Sequence, residues 1–393
     1  MSALLVLATL PVFGCALYLF VLTVNSWRSF SVPAPRAPTL RFDLVVPAHD
    51  EAAGVAQTVH SLLAVDYPVA LRRVVVVADN CTDATAERAR EAGATVLERT
   101  DPTHPGKGRA LAHAFAFSLA DGFADAVVVV DADTLVSRNL LSAFDARLVA
   151  GARALQADYG VRNPEASWRT RLMRIALAAF HQVRSLGRAR LGASCGLRGN
   201  GMGFRTSILR DVPARAFSLV EDLEYGLHLG RAGVRVDYAP EVTVQGEMVS
   251  SAAASRSQRL RWEAGRAELR RTQAWPTLRD AFAQRNALLF DLALDLLVPP
   301  LAQLVTVIVV GVMVTASLWR TVDLGRGALG LLLLSSAMLV AHVLAGWHAS
   351  HTGLRGLADL ALAPVYLAWK LSLPLLARPS HWVRTAREPG ARR

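Results

Sequence analysis

The chain has 393 residues, 52% of them hydrophobic, and its 43 Lys plus Arg against 32 Asp plus Glu give a formal charge of +11. A mean hydropathy of +0.30 is high for a purely water-soluble protein. Three scattered cysteines, Cys15, Cys81 and Cys195, exclude a disulfide framework or a zinc site and fit a reducing cytosolic face. The basic excess is almost all arginine, Lys107 and Lys370 being the only lysines. In so apolar a chain it points to anionic lipid headgroups, and no nucleic-acid-binding module is present.

Met1 to Asn25 carries no charge and exceeds the ~20 residues that cross a bilayer as a helix. With no basic n-region and no A-x-A-like site before Arg28, it reads as an anchor (1–26) rather than a cleaved leader. Arg28, Arg36 and Arg41 follow in a linker (27–41), so the positive-inside rule places the next polar region in the cytoplasm. Within that region (42–275), FDLVVP (42–47), RVVVVAD (73–79), TVLE (95–98) and AVVVVD (126–131) read as strands. The stretches 51–64, 83–92 and 107–121 read as helices, with Thr82 or Asp83 as a cap for the second. Such alternation predicts an α/β fold with a mixed, mostly parallel sheet, whose ligands lie beyond the carboxyl ends of the strands. Residues 164–190 place Trp168, Leu172, Ile175, Ala179, Val183 and Leu186 at helical spacing with arginines around them. They fit either a surface helix or one lying in a membrane interface.

The chemistry-bearing stretches fall at the predicted strand ends. Asp131 and Asp133, at i and i+2 of an extended chain, aim two carboxylates one way and suit Mg²⁺ or Mn²⁺, although a lone D-x-D is often a solvated turn. VVPAHDE (45–51) and VVVVADNCTD (74–83) end strands in acidic or amide residues. HPGKGRAL (104–111) flanks Lys107 with glycines, which lets backbone and ammonium approach a phosphate closely. Gly199, Gly201 and Gly203 in GLRGNGMGFR (196–205) suit a tight turn or a close approach. Glu221 and Asp222 in LVEDLEYG (219–226) fit an exposed helix start as readily as a catalytic base. In QRLRW (258–262), Gln258, Arg261 and Trp262 share one helix face.

In order and spacing these stretches resemble the inverting family-two glycosyltransferases of the GT-A fold, from about Asp43 to Arg266. The likeness is strongest to the membrane-bound β-polysaccharide synthase branch (cellulose, chitin, hyaluronan and poly-N-acetylglucosamine synthases). The resemblance implies a UDP-sugar donor, with Pro47, His49, Glu51 and Asp79 around uracil and ribose and Lys107 near the diphosphate. It also implies Asp131 and Asp133 on the metal, Asp222 as base and Glu221 beside it. Gln258, Arg261 and Trp262 would serve diphosphate and acceptor, and Glu221, Asn200 and Gly201 the acceptor. His49 stands where the family usually has asparagine, and valine precedes Glu221 where it usually has threonine.

Two further uncharged or histidine-only runs predict spans near 296–319 and 327–348, followed by an interfacial or re-entrant stretch (356–377) and a basic tail. The expectation is a multi-pass protein of the cell (inner or plasma) membrane that adds sugar to an exported polysaccharide. A single addition to a ceramide- or carrier-type lipid is the alternative. So few spans make a poor private pore, so export would call for a homodimer or a partner. A non-catalytic sensor is a weaker reading, since Asp79, Asp131, Asp133 and Asp222 are all retained, and a small transporter is weaker still, with no intramembrane polar pathway beyond Asp291, Asp295 and Asp359 near span ends.

Overall fold

The computed structural model describes residues 2–248, 252–319 and 326–372, without the side chains of 2–4, 252–258, 318–319 and 369–372. It opens with α1 (Ser2–Ser26), then β1 (Phe42–Ala48), α2 (Val55–Leu63), β2 (Arg72–Asp79), α3 (Thr85–Glu91), β3 (Thr95–Arg99), α4 (Lys107–Asp121) and β4 (Ala126–Val129). β1 lies parallel to β2 and β4, with Val45 opposite Val75 and Val129. Leu44 and Val46 pack with Val55 and Val59 on one face of the sheet. Val45 and Val75 pack with Ala110 and Ala114 on the other. Burial on both faces is why these strands read as unbroken apolar runs.

β5 (Thr134–Val136), α5 (Leu140–Val149), β6 (Ala154–Val161), α6 (Trp168–Leu177), a π-helical stretch (Ala178–Val183) and α7 (Arg184–Arg190) follow. Then come β7 (Met202–Arg205), α8 (Thr206–Asp211), α9 (Glu221–Arg231) and β8 (Val236–Gly246). The sheet order is β3-β2-β1-β4-β7-β6-β8-β5. β7 runs antiparallel to β4 and β6, and β5 antiparallel to β8; the other pairings are parallel, giving the mixed, mostly parallel sheet expected.

One local expectation is corrected. β4 ends at Val129, so Asp131 and Asp133 are not two apart on an extended strand; they sit in a turn closed by Thr134 N–H donating to Asp131 O at 3.2 Å. The chain leaves β4 here to reach β5 at the far edge of the sheet, which a continued strand could not do.

The rest is helical: α10 (Ala252–Ala283), α11 (Ala287–Leu297), α12 (Leu301–Trp319), α13 (Arg326–Ser350), α14 (Gly353–Asp359), a 3-10 turn (Leu360–Leu362) and α15 (Ala363–Ser372). Leu5–Ser26 and Arg326–Ser350 are each long and apolar enough to cross a membrane. The span expected over 296–319 is broken instead. Pro299 and Pro300 cannot continue a helix, Val298 turns to ψ 117°, and α11 and α12 meet at 65°. Together they form a third candidate span only as a bent pair. The 356–377 stretch is helical as far as Ser372, and the basic tail lies outside the described residues.

α7 packs hard on α1: a Cβ on Gly187 would lie 2.3 Å from Leu22 O. Thr23 Oγ1 meets His342 Nδ1 at 2.8 Å, joining α1 to α13. The 168–190 helix is thus wedged between the sheet and the apolar helices. Two of its arginines, read from sequence as part of a polar face, turn inward: Arg188 is 0% exposed and Arg184 6%. Arg188 Nη1 reaches Asp295 Oδ2 at 3.2 Å, its Nε reaches Asp291 Oδ2 at 2.9 Å, and Arg184 pairs with Asp295. Tyr18 of α1 donates to Asp291 at 3.0 Å.

Candidate active site

Because β1, β2 and β4 run parallel, their carboxyl ends open on one edge, and a cavity of about 2160 Å³ lies beyond it. One end of the cavity is the β1–α2 turn. Pro47, His49, Glu51 and Asp79 all line it. His49 Nδ1 lies 2.7 Å from Asp79 O, and Asp79 is clamped by Arg99 Nη1 at 2.6 Å. Asp50 and Asn80 both adopt positive φ, 53° and 51°, which short polar side chains tolerate. Asp50 accepts from Thr82 N–H at 2.6 Å, stitching the two loops together. Burial opposes its charge, but the Thr82 and Asp83 hydrogen bonds and His49 outweigh that and lower its pKa.

At the centre stands Lys107, the first residue of α4. Its Nζ donates to Asp131 Oδ1 at 2.5 Å and to Gly199 O at 2.7 Å, and lies 3.7 Å from Glu221 Oε1. Burial works against the ammonium, but Asp131, Glu221 and Asp222 more than compensate, and its pKa is raised. Glu221 and Asp222 open α9, where the helix dipole favours negative charge. Burial dominates even so: it pushes Glu221 up to about 7, helped by Asp222 and opposed by Lys107, and it raises Asp222. Asp222 Oδ2 would sit 3.4 Å from a Cβ on Gly199, whose φ of +80° suits glycine.

Asp131 and Asp133 line the same cavity. Two hard carboxylate oxygens, with no sulfur or imidazole between them, fit Mg²⁺ or Mn²⁺ better than a soft metal. Arg261 and Trp262 reach the wall from α10. Burial lowers the pKa of Arg261, and Glu221 and Asp131 oppose that. The side chain of Gln258 lies outside the described residues.

Asn200 and Gly201 depart from the acceptor role expected of them. Asn200 is 0% exposed and faces away from the cavity. Its Oδ1 accepts from Asp131 N–H at 3.1 Å and its Nδ2 donates to Thr134 Oγ1 at 2.7 Å, so it braces the aspartate turn from behind. Gly201 has φ +69° and touches Ala157 and Val244, where a Cβ would lie 2.8 Å away. Tyr159, which sequence reading missed, lines the cavity beside the aspartates; burial and their charges raise its pKa well above the usual value. Its strand shows no β-branched run to mark it.

The cavity does not stop at the carboxylates. It continues past Arg184, Arg198 and Arg266 to Leu19 of α1, Leu177 and Phe180 beside α7, and the Val298–Leu301 break. The signal for this half was two i,i+4 pairs in otherwise apolar or basic helices, Arg184 with Arg188 and Asp291 with Asp295.

Residues 38–265 match the family model described as glycosyltransferase like family 2. The chain belongs to that family. It is similar to the probable glycosyltransferase YdaM of Bacillus subtilis, 23% identical over 253 residues, which span 63% of this chain and 59% of the relative. It is also similar to 4,4'-diaponeurosporenoate glycosyltransferase of Staphylococcus aureus, 32% identical over 108 residues, spanning 26% and 28%. The chain therefore matches less than two thirds of either curated relative. Among solved structures, the mannosyltransferase PcManGT from Pyrobaculum calidifontis, in complex with GDP-Man and Mn²⁺, superposes with a TM-score of 0.53 at 19% identity, covering 86% of this chain and 98% of that one. That likeness bears on the fold, which is the GT-A arrangement expected.

Proposed function

We propose that the chain is a membrane-attached, metal-dependent inverting glycosyltransferase that moves one sugar from a nucleoside-diphosphate donor, UDP-linked in the first instance, to an acceptor hydroxyl. The observation that carries this reading is Lys107, whose single ammonium meets Asp131 at 2.5 Å and Glu221 at 3.7 Å, so the two acidic stretches share one point in one cavity. Pro47, His49, Glu51 and Asp79 hold nucleoside and ribose, and Lys107 and Arg261 steady the diphosphate. Asp131 and Asp133 would hold Mg²⁺ or Mn²⁺, which supplies Lewis-acid neutralisation of phosphate charge. Asp222 takes the proton of the acceptor hydroxyl as its oxygen bonds to the anomeric carbon; the bond to the diphosphate breaks, and the nucleoside diphosphate leaves with the electron pair. A pKa raised by burial suits Asp222 to that task. Glu221 tunes it, and Trp262 offers a stacking face to the acceptor.

The aromatic and basic QRLRW stretch favours polymer synthesis. Against it, at most three candidate spans are found among the described residues, and the far end of the cavity is apolar, which favours an acceptor with an apolar body. Attachment is through α1 and α13, with transfer on the cytoplasmic face that Arg28, Arg36 and Arg41 indicate. The test is nucleoside-diphosphate release by membranes carrying the protein, with UDP-glucose, UDP-N-acetylglucosamine, UDP-galactose and UDP-glucuronate. The GDP-Man of the superposed mannosyltransferase adds GDP-mannose to the screen. Release with one donor, abolished by EDTA, is expected; EDTA-insensitive release would refute the metal role.

A further inference from the structure

Beside the carboxylates the cavity holds a group of buried cations that the proposed chemistry does not use. Arg198, on the loop between α7 and β7, is 6% exposed and lines the cavity, yet its Nε and Nη1 have no hydrogen-bond partner among the described residues. Its one side-chain hydrogen bond there is to Cys195 O at 2.9 Å. Three guanidiniums surround the ring of Phe180: the Cζ atoms of Arg198, Arg184 and Arg266 lie 4.2, 4.7 and 5.1 Å from its centroid. With Arg188 this makes three buried guanidiniums and one half-buried, Arg266, against two carboxylates, Asp291 and Asp295. Asp291 is taken by Arg188 and Tyr18, and Arg266 reaches only the main-chain oxygen of Asp295, at 3.1 Å. Asp295 attracts Arg198 while Arg188, Arg184 and Arg266 repel it, and on its other side Arg198 favours the charged form of Asp222.

Leaving a guanidinium buried with unmet donors is strongly unfavourable, and a cation–π contact, which supplies no acceptor, does not replace them. A planar fork of N–H donors with excess positive charge matches a phosphate oxyanion. Next to this cluster the same cavity is walled by Leu19, Leu177, Val298 and Leu301. On its other side, Gly199 links Arg198 to the carboxylate of Asp222.

We propose that Arg184, Arg198 and Arg266, gathered on Phe180, form an anion site for the phosphate-class headgroup of an amphipathic acceptor whose apolar tail lies between α1, the end of α6 and the Val298–Leu301 break. This rests on the glycosyl-transfer reading of the adjacent carboxylates and names the acceptor class for it. The anion anchors the acceptor one loop away from Asp222, and the helix-lined arm explains why the site is built against the candidate membrane spans.

The test uses the full chain in phosphatidylcholine nanodiscs and follows thermal unfolding against added dodecyl phosphate, dodecanol and inorganic phosphate. Dodecyl phosphate is expected to raise the midpoint saturably. Dodecanol should do so far less, and inorganic phosphate only at much higher concentration. Arg198→Gln should raise the concentration of dodecyl phosphate needed by about tenfold, the loss of one charge-assisted contact. Arg198→Lys should raise it less. Stabilisation of Arg198→Gln by UDP with Mn²⁺ reports that it is folded; if it is not, the comparison of dodecyl phosphate with dodecanol on the unaltered chain decides. Equal effects of those two overturn the anion site. Equal potency of inorganic and dodecyl phosphate overturns the lipid headgroup in favour of a free anion, and an unaltered response in folded Arg198→Gln overturns the arginine assignment. Failure of UDP to bind the unaltered chain would count against the transferase reading alone.

Discussion

The two ends of the cavity solve opposite electrostatic problems. At the sheet edge carboxylates are in excess: Asp131, Glu221 and Asp222 gather on Lys107, with Arg261 acting on the first two. Against the apolar helices, guanidiniums outnumber their carboxylates: Arg184, Arg188, Arg198 and Arg266 share Asp291 and Asp295. Each end is incomplete in the sense that buried charge of one sign exceeds the other, and each would be completed by a ligand of opposite sign. A metal–diphosphate suits the first and an anionic acceptor the second. The lesson is that an unbalanced buried charge locates a ligand more directly than the shape of a pocket does.

Substitutions at the two ends should therefore fail in different ways. Asp131→Asn should lower transfer by about 10²–10³-fold through lost stabilisation of the departing diphosphate, with thermal stability changed far less, because Asp131 is part-exposed and Lys107 keeps Glu221 as a partner. Rate and stability measured on one preparation check this; a parallel loss of both would erase the contrast. Arg188→Met should instead destabilise the fold by about 3–5 kcal/mol, since Asp291 loses its guanidinium inside the protein. Adding Asp291→Leu should recover much of it, and chemical denaturation in detergent reads both. A Gly201→Ala change, at φ +69° and against Ala157 and Val244, should cost about 1–3 kcal/mol and loosen the aspartate turn that Asn200 braces. Its signature would be weaker Mn²⁺-dependent UDP binding rather than a change in acceptor response.

The smallest effect concerns pH. Burial raises Glu221 to about 7 in the fold, above its unfolded value, so the fold prefers the protonated form. Its stabilising preference is complete below the unfolded carboxyl range and is lost as pH rises toward 7. The ligand-free protein should lose stability from pH 5 to pH 8, and Glu221→Gln should flatten that slope. An unchanged slope would show that Lys107 neutralises Glu221 fully.

The sheet edge was legible because strands buried on both faces must be β-branched runs, and the acids at the ends of β1, β2 and β4 stand out against them. β6 and β8 were not. Gln156 and Asp158 interrupt the first and Pro240 the second, and the two polar side chains take partners far along the chain: Gln156 accepts from Arg198 N–H at 2.8 Å and Asp158 from Tyr238 at 3.0 Å. The role of Asn200 was missed for a similar reason, since a brace is visible only once the turn it supports is folded. The arginine end was hidden because an Arg-rich helix beside apolar spans looks the same whether it faces lipid headgroups or Asp291 and Asp295. Prolines 299 and 300 did carry their message, and the length of the apolar run around them masked it.

The central claim is that the carboxylate edge performs sugar transfer with Asp222 as the base. The most direct measurement is Mn²⁺-dependent nucleoside-diphosphate release by the unaltered chain and by Asp222→Asn, beside UDP affinity for both. The account predicts a fall of about 10²–10⁴-fold in release with UDP affinity held within about twofold, the range expected for loss of a general base. Release by Asp222→Asn at the unaltered rate would contradict it.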